Sequence, residues 1–190
     1  MKRKITMILS IVLAAVLLLA ACAPHEVAVD TKAKTDGPVF GDFKTQDLAG
    51  NEVTQDVFAG KKLTMVNMWA TYCKPCLAEM PDLAQINKEY ADKGFQVVGL
   101  VTDVTDQSGA VVSGQIDLAK EIVSKTGADY TQIIPSEVIV LKKLKDVTMV
   151  PETVFVDENG NQVGESVIGS RSKQEWIKLI DGLLGESGEA

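Results

Sequence analysis

Two cysteines, Cys73 and Cys76, lie three positions apart in the run Trp69-Ala70-Thr71-Tyr72-Cys73-Lys74-Pro75-Cys76, directly after an apolar stretch. That spacing lets the sulfurs close a small ring, so the pair can cycle between dithiol and disulfide without remodelling a fold. The chemistry implied is thiol–disulfide exchange. A purely structural disulfide is a weak alternative, because closing so short a loop constrains the unfolded chain little. A zinc site is weaker still, since two thiolates with no further Cys or His nearby do not complete a tetrahedron, so no metal is expected. The chain holds only three cysteines, which leaves no third thiol for an internal relay if Cys22 is modified.

The elements that must position this pair can be read outward from it. Leu63 to Trp69 is a continuous buried strand pattern ending just before the cysteines. Pro75 suits the first turn of a helix, where its missing N–H is no loss. Leu77, Met80, Leu83, Ala84, Ile86 and Tyr90 carry the helical period onward to about Gly94, with a kink expected at Pro81. Phe95 to Val101 is the next buried strand, so the unit is strand–helix–strand and its strands should be parallel. Upstream, two short extended stretches between Phe40 and Phe58 flank Ala49-Gly50-Asn51 as a hairpin. Downstream come a long polar loop over 102–114, a helix from about Gln115 to Lys125, a short strand at Tyr130 to Ile134 and a weak helix from Pro135 to Leu144. A hairpin follows, with strands Thr153–Asp157 and Gln162–Ile168, and then a last helix from about Ser172 to Leu184.

Ahead of this domain, Lys2, Arg3 and Lys4 precede an apolar run from Ile5 to Ala21, broken only by Thr6 and Ser10. Leu19-Ala20-Ala21-Cys22 places small residues where a signal peptidase needs them. The run resembles the bacterial lipobox, which makes Cys22 the lipidation site and residues 1–21 a lipoprotein signal peptide. An ordinary signal peptide or an uncleaved anchor is the alternative. Residues 22–37 read as a flexible tether, 38–185 as the folded domain and 186–190 as a frayed tail. His25, the only histidine, lies in the tether. A serine-type or cysteine–histidine hydrolase, which needs a histidine in the folded domain, is therefore excluded.

Residues 1–21 carry three of the 19 Lys+Arg and none of the 26 Asp+Glu, which leaves 16 positive against 26 negative charges, a net −10. That acidity opposes nucleic acid and anionic lipid headgroups as partners of the domain body. About 150 residues from Pro38 onward suffice for one core.

The order of elements, with Cys-x-x-Cys opening the first long helix, resembles the thioredoxin fold, and most closely its TlpA/ResA-like branch of membrane-tethered thiol–disulfide oxidoreductases. Three motifs carry the resemblance over about 38–185: Asn67 to Cys76, Glu79-Met80-Pro81, and Val150 to Gly160. The implied class is α/β, a central mixed sheet flanked by helices, with an N-terminal β-hairpin extension. Cys73 precedes the helix, so free N–H groups and the positive helix end should lower its pKa and make it the nucleophile. Cys76, inside the first turn, should be the buried resolving thiol. Lys74 either adds modest positive charge or is an exposed lysine without consequence. The resemblance makes Pro151 the family's cis-proline, presenting backbone groups at Val150 to a substrate peptide. It also makes Glu79, where family members commonly carry an acid, a proton acceptor that tunes the thiols. The competing reading of Glu79 is a surface residue favourable to the helix dipole. Asn67 occupies the strand position at which cytosolic thioredoxins hold a buried aspartate, and it cannot titrate. Trp69 and Tyr72 are candidates to wall the site, although core packing accounts for Trp69 equally well.

What the resemblance implies is a monomeric, extracytoplasmic, lipid-anchored protein without a cofactor. Its partners would be protein disulfides or dithiols and, as electron donor, a CcdA/DsbD-like membrane thiol carrier. Cytochrome c maturation is one process such relatives serve. Three alternatives stay open: a disulfide-forming oxidase, since direction depends on potential and partner; a peroxiredoxin-like peroxidase; and a Sco-type copper chaperone. The peroxidase expects a threonine three residues before its cysteine, whereas Thr71 is two before Cys73. The chaperone needs cysteines four apart and a histidine in the domain.

Overall fold

A computed structural model describes residues 37–106 and 110–186. The expected signal peptide with Cys22, nearly all of the expected tether with His25, and residues 187–190 lie outside the described residues. The domain is built on a five-stranded sheet of order β5-β4-β3-β6-β7. β3 (Leu63–Trp69) is its centre, parallel to β4 (Phe95–Val101) on one side and antiparallel to β6 (Glu152–Val156) on the other. β5 (Gln132–Ile133) extends the parallel half, and β7 (Gln162–Ile168) closes the antiparallel half. Every residue of β3 is buried, as a strand covered on both faces requires.

Alternation along β3 assigns the two cores. Leu63, Met65 and Trp69 meet α1 (Lys74–Glu89), α2 (Ser113–Thr126) and α4 (Lys173–Glu186) through Met80, Leu83, Ile86, Ala119, Ile122, Trp176 and Ile180. Val66 and Met68 face the other way, into a core with Phe40, Phe43, Phe58 and Ile139. Ile139 belongs to the short helix α3 (Glu137–Lys142). On the α1 face, register places Asn67 between Gly99 of β4 and Thr153 of β6. Gly99 is required there: an added Cβ would fall 1.9 Å from Gln132 Oε1, which is held by the Trp69 indole N–H at 2.9 Å.

The N-terminal hairpin forms, with β1 (Lys44–Gln46) antiparallel to β2 (Glu52–Thr54). It is sewn to the edge of the main sheet by Leu48 N–H to Gln132 O and Ile134 N–H to Gln46 O, both 2.9 Å. Several boundaries move. The first helix stops at Glu89 and a 3-10 turn, Ala91–Lys93, carries the chain to Gly94, whose φ of +81° reverses it. Pro81 is accommodated inside α1, with helical residues on both sides. The weak helix is only six residues long and is followed by a 3-10 turn at Leu144–Asp146. Within the expected 102–114 loop, Thr105 is bridged to Val111, and α2 begins already at Ser113.

Candidate active site

Cys73 and Cys76 are joined as a disulfide, with their Cα atoms 5.3 Å apart, at the mouth of α1. Cys73 is the helix N-cap and its Sγ accepts the N–H of Cys76 at 3.3 Å. A helix leaves its first N–H groups unsatisfied, so a sulfur in this position meets both a donor and the positive end of the helix dipole. The two sulfurs are not equivalent. Cys73 retains 5% of its surface whereas Cys76 has none. Tyr72 beside them is 74% exposed, and Lys74 is exposed at the first helical position.

Glu79 lies one turn after Cys76, on the same helix face. It is 3% exposed, and so is not the surface glutamate of the competing reading. Its Oε1 accepts from Asn67 Nδ2 at 3.1 Å, while Oε2 accepts from the Trp176 indole and the Arg171 backbone N–H, both at 3.2 Å. Asn67 Nδ2 also donates to Thr153 Oγ1 at 3.1 Å, and Asn67 Oδ1 is buried without a hydrogen-bond partner. Burial pushes the Glu79 carboxyl above its ordinary 4.5. The three N–H donors and the charge of Arg171 pull the other way and are outweighed. A titratable carboxyl whose neutral form is favoured by burial thus sits inside the protein behind Cys76.

A second carboxylate anchors the loop that carries Cys73. Asp103, just past the end of β4, accepts the Thr71 N–H at 3.0 and 3.1 Å and the Thr71 hydroxyl at 2.6 Å. Gln115 Nε2 approaches the same oxygen at 3.4 Å. Cys73 N–H donates to Ala70 O at 3.0 Å, so the loop is a turn fixed at both Thr71 and Cys73. Asp103→Ala should leave the buried Thr71 donors unpaired and lower unfolding free energy by about 2 kcal/mol, as for other hydrogen bonds to a charged group. Urea unfolding measures this, and an unchanged midpoint would show that water replaces the carboxylate without loss.

The third segment at the site is 148–150. The Val150–Pro151 peptide bond is cis, and Pro151 O accepts the Gly169 N–H at 2.8 Å. Val150 packs on the core cluster that contains both cysteines. A cleft of about 230 Å³ opens between Tyr72 and this segment, lined by Thr102, Leu144, Val147, Met149 and Val150. Met149 is 60% exposed at its rim. The structure therefore brings Cys73, Cys76, Tyr72 and Val150–Pro151 together and sets Glu79 behind them. Trp69 is a correction to the expected wall. It is wholly buried, with its indole N–H spent on Gln132, so it has no surface with which to touch a client.

Sequence reasoning missed Asp103, Thr153 and Arg171. Asp103 had a signal, since ligands and catalytic groups in parallel sheets gather beyond the carboxyl ends of the strands. Arg171 had none, because what reaches Glu79 is its backbone N–H, across 92 residues of sequence.

Comparison with known proteins agrees with this geometry. The Redoxin family model matches residues 32–173. The thioredoxin-like protein YneN of Bacillus subtilis is 31% identical over 152 residues, covering 77% of this chain and 79% of that one. The thiol-disulfide oxidoreductase ResA of Bacillus thuringiensis subsp. konkukian is 28% identical over 141 residues, 73% of this chain and 74% of its own length. Among solved structures, a thiol:disulfide interchange protein of the thioredoxin family from Chlorobium tepidum shares the fold, with a TM-score of 0.63 at 24% identity over 80% of this chain and 97% of that chain. With a redox-capable pair at a helix mouth, a cis-proline segment beside it and these relatives, the chain belongs to the Redoxin family as a TlpA/ResA-like thiol–disulfide oxidoreductase.

Proposed function

We propose that this chain is a reductant of disulfides in extracytoplasmic proteins, tethered to the membrane by a lipid on Cys22. The observation that carries the reading is the asymmetry of the pair: Cys73, whose Sγ caps α1, keeps 5% of its surface, while Cys76 is sealed beneath it with none. In the reduced protein the Cys73 thiolate attacks one sulfur of a client cystine. A Cys73–client bond forms, the client S–S bond breaks, and the departing sulfur takes a proton. Cys76, losing its proton to Glu79, then attacks Cys73 Sγ. The mixed disulfide breaks, and the second client sulfur leaves as a thiol by taking a proton from water, to which Glu79 returns the one it accepted. One electron pair passes from the protein to the client, and the two protons of the new client thiols are exchanged through solvent. Val150 and Pro151 supply backbone and Tyr72 an exposed ring against which the client segment lies.

The reducing direction is supported by the carboxyl behind the thiols. When ionised, Glu79 disfavours a second anion at Cys76, keeps that thiol less acidic and makes the dithiol a better donor. The domain is read as a monomer whose reduced state is restored by a CcdA/DsbD-like membrane thiol carrier, near which the tether would hold it. The apolar run before Cys22 supports this placement. The test is the reduction potential of the full chain in detergent, equilibrated against dithiothreitol. A potential near or below about −250 mV is expected of a reductant, and one near about −120 mV would make the protein a disulfide-forming oxidase instead.

A further inference from the structure

The reaction above needs a client to lie across Val150–Pro151, yet the wall of that cleft is loosely held. Beyond α3, the backbone bonds of this segment are local: Lys143 N–H to Ile139 O, Asp146 N–H to Lys143 O and Val147 N–H to Leu144 O. Among the described residues, the N–H groups of Thr148, Met149 and Val150 make no backbone–backbone hydrogen bond. Packing seats Leu144 and Val147 against the second core, and one strong polar tie joins the segment to the sheet. Lys143 Nζ meets Glu152 Oε1 at 2.5 Å, with side chains 14% and 8% exposed.

This pair is the most buried among the described residues. Lys44–Glu52, Lys88–Asp129, Lys93–Asp181 and Lys125–Glu121 are all more than half exposed on both sides, and Lys173–Glu89 is 20% and 50% exposed. Exposed pairs of that kind contribute little to stability. A buried pair loses hydration on both ions, and well-packed apolar residues in its place are commonly as stable or more so. Stability alone is then a poor account of Lys143–Glu152, and its location offers a better one. Glu152 directly follows Pro151 and opens β6, opposite Met68. Lys143 directly precedes Leu144, the first residue of the cleft wall. The ion pair thus closes the segment 143–152 on itself at its base, and the residues between its partners form the far side of the cleft.

We propose that the Lys143–Glu152 ion pair is a positioning device for client recognition, fixing the wall of Leu144, Val147 and Met149 so that polypeptide disulfides are favoured over small ones. The inference rests on the client reading above. A small disulfide needs only Cys73 and is insensitive to the wall. A folded client must be seated against it, and displacement of about an ångström at a seated substrate lowers reactivity by tenfold or more.

The test uses the full chain in detergent, reduced and freed of reductant, and mixed in stopped flow with insulin or with glutathione disulfide. Formation of the Cys73–Cys76 disulfide is followed by tryptophan fluorescence. For Lys143→Met and for Glu152→Gln, the ratio of the insulin to the glutathione rate constant should fall about tenfold, and the double variant should fall no further, as for two halves of one interaction. The double variant leaves no unpaired buried charge, so it carries the test where a single variant lacks a cooperative melt. An unchanged ratio in folded variants would overturn the proposal, as would an equal fall in both rates, which would place the effect at Cys73 itself. A wild-type chain that reacts with glutathione disulfide and not with insulin would overturn the client reading, and this proposal with it.

Discussion

Cys76→Ser should convert the protein from a turnover enzyme into a trap. With the resolving thiol gone, Cys73 still attacks a client disulfide, but nothing inside the protein can break the resulting bond. The covalent complex should accumulate and disappear on adding dithiothreitol, as read on a non-reducing gel or by intact mass. Cys73→Ser should form no complex, because Cys76 has no accessible surface from which to reach a client. Its turnover should drop by about 10⁴-fold or more, as for removal of other enzymatic nucleophiles. The two phenotypes together assign the order of attack. Equal trapping by both variants would mean that α1 opens at its first turn and that the burial of Cys76 does not set its role.

The sequence carried the parts of this site that local chemistry specifies. Cys73 and Cys76 announce themselves by spacing, and Pro75 and the apolar period after it place them at a helix start. The strands on either side are readable because a doubly covered strand is an unbroken apolar run, as Leu63–Trp69 and Phe95–Val101 are. What was illegible depends on tertiary geometry. Trp69 and Tyr72 are neighbours of equal promise in sequence, yet the strand ends between them, so one indole is sealed in the core and the other ring projects into solvent. Asp103 serves the loop at Thr71 only because β4 is parallel to β3 and ends at the same edge of the sheet. Lys143 and Glu152 are two charges in an acidic chain until the turn at Leu144–Asp146 and the strand after Pro151 bring them face to face.

The same dependence on context governs Glu79, for which activity and stability should move in opposite directions. Glu79→Gln removes the group proposed to accept the Cys76 proton while keeping shape and hydrogen-bonding capacity. Resolution of the mixed disulfide should slow by about 10²-fold, the usual contribution of a positioned base. The stability effect has the other sign. Burial holds the folded-state pKa of Glu79 above 4.5, so the unfolded chain gives up this proton first as pH rises. The stabilisation from the neutral carboxyl is whole below pH 4.5 and is lost as pH climbs through the folded-state value. The variant never ionises, so its melting temperature relative to wild type should rise from pH 4.5 upward and level off once wild-type Glu79 is fully charged. Asn67 makes both protonation states tolerable. With its amide as found, Nδ2 donates to the carboxylate. With the amide turned over, Oδ1, which has no partner as found, would accept from a protonated Glu79 and from the Thr153 hydroxyl. A variant both slower and less stable across the whole pH range would mean that Glu79 is a structural acceptor for Trp176 and Arg171. A slower and more stable one would mean that the chain keeps a buried acid at a cost in stability because the resolving step needs it.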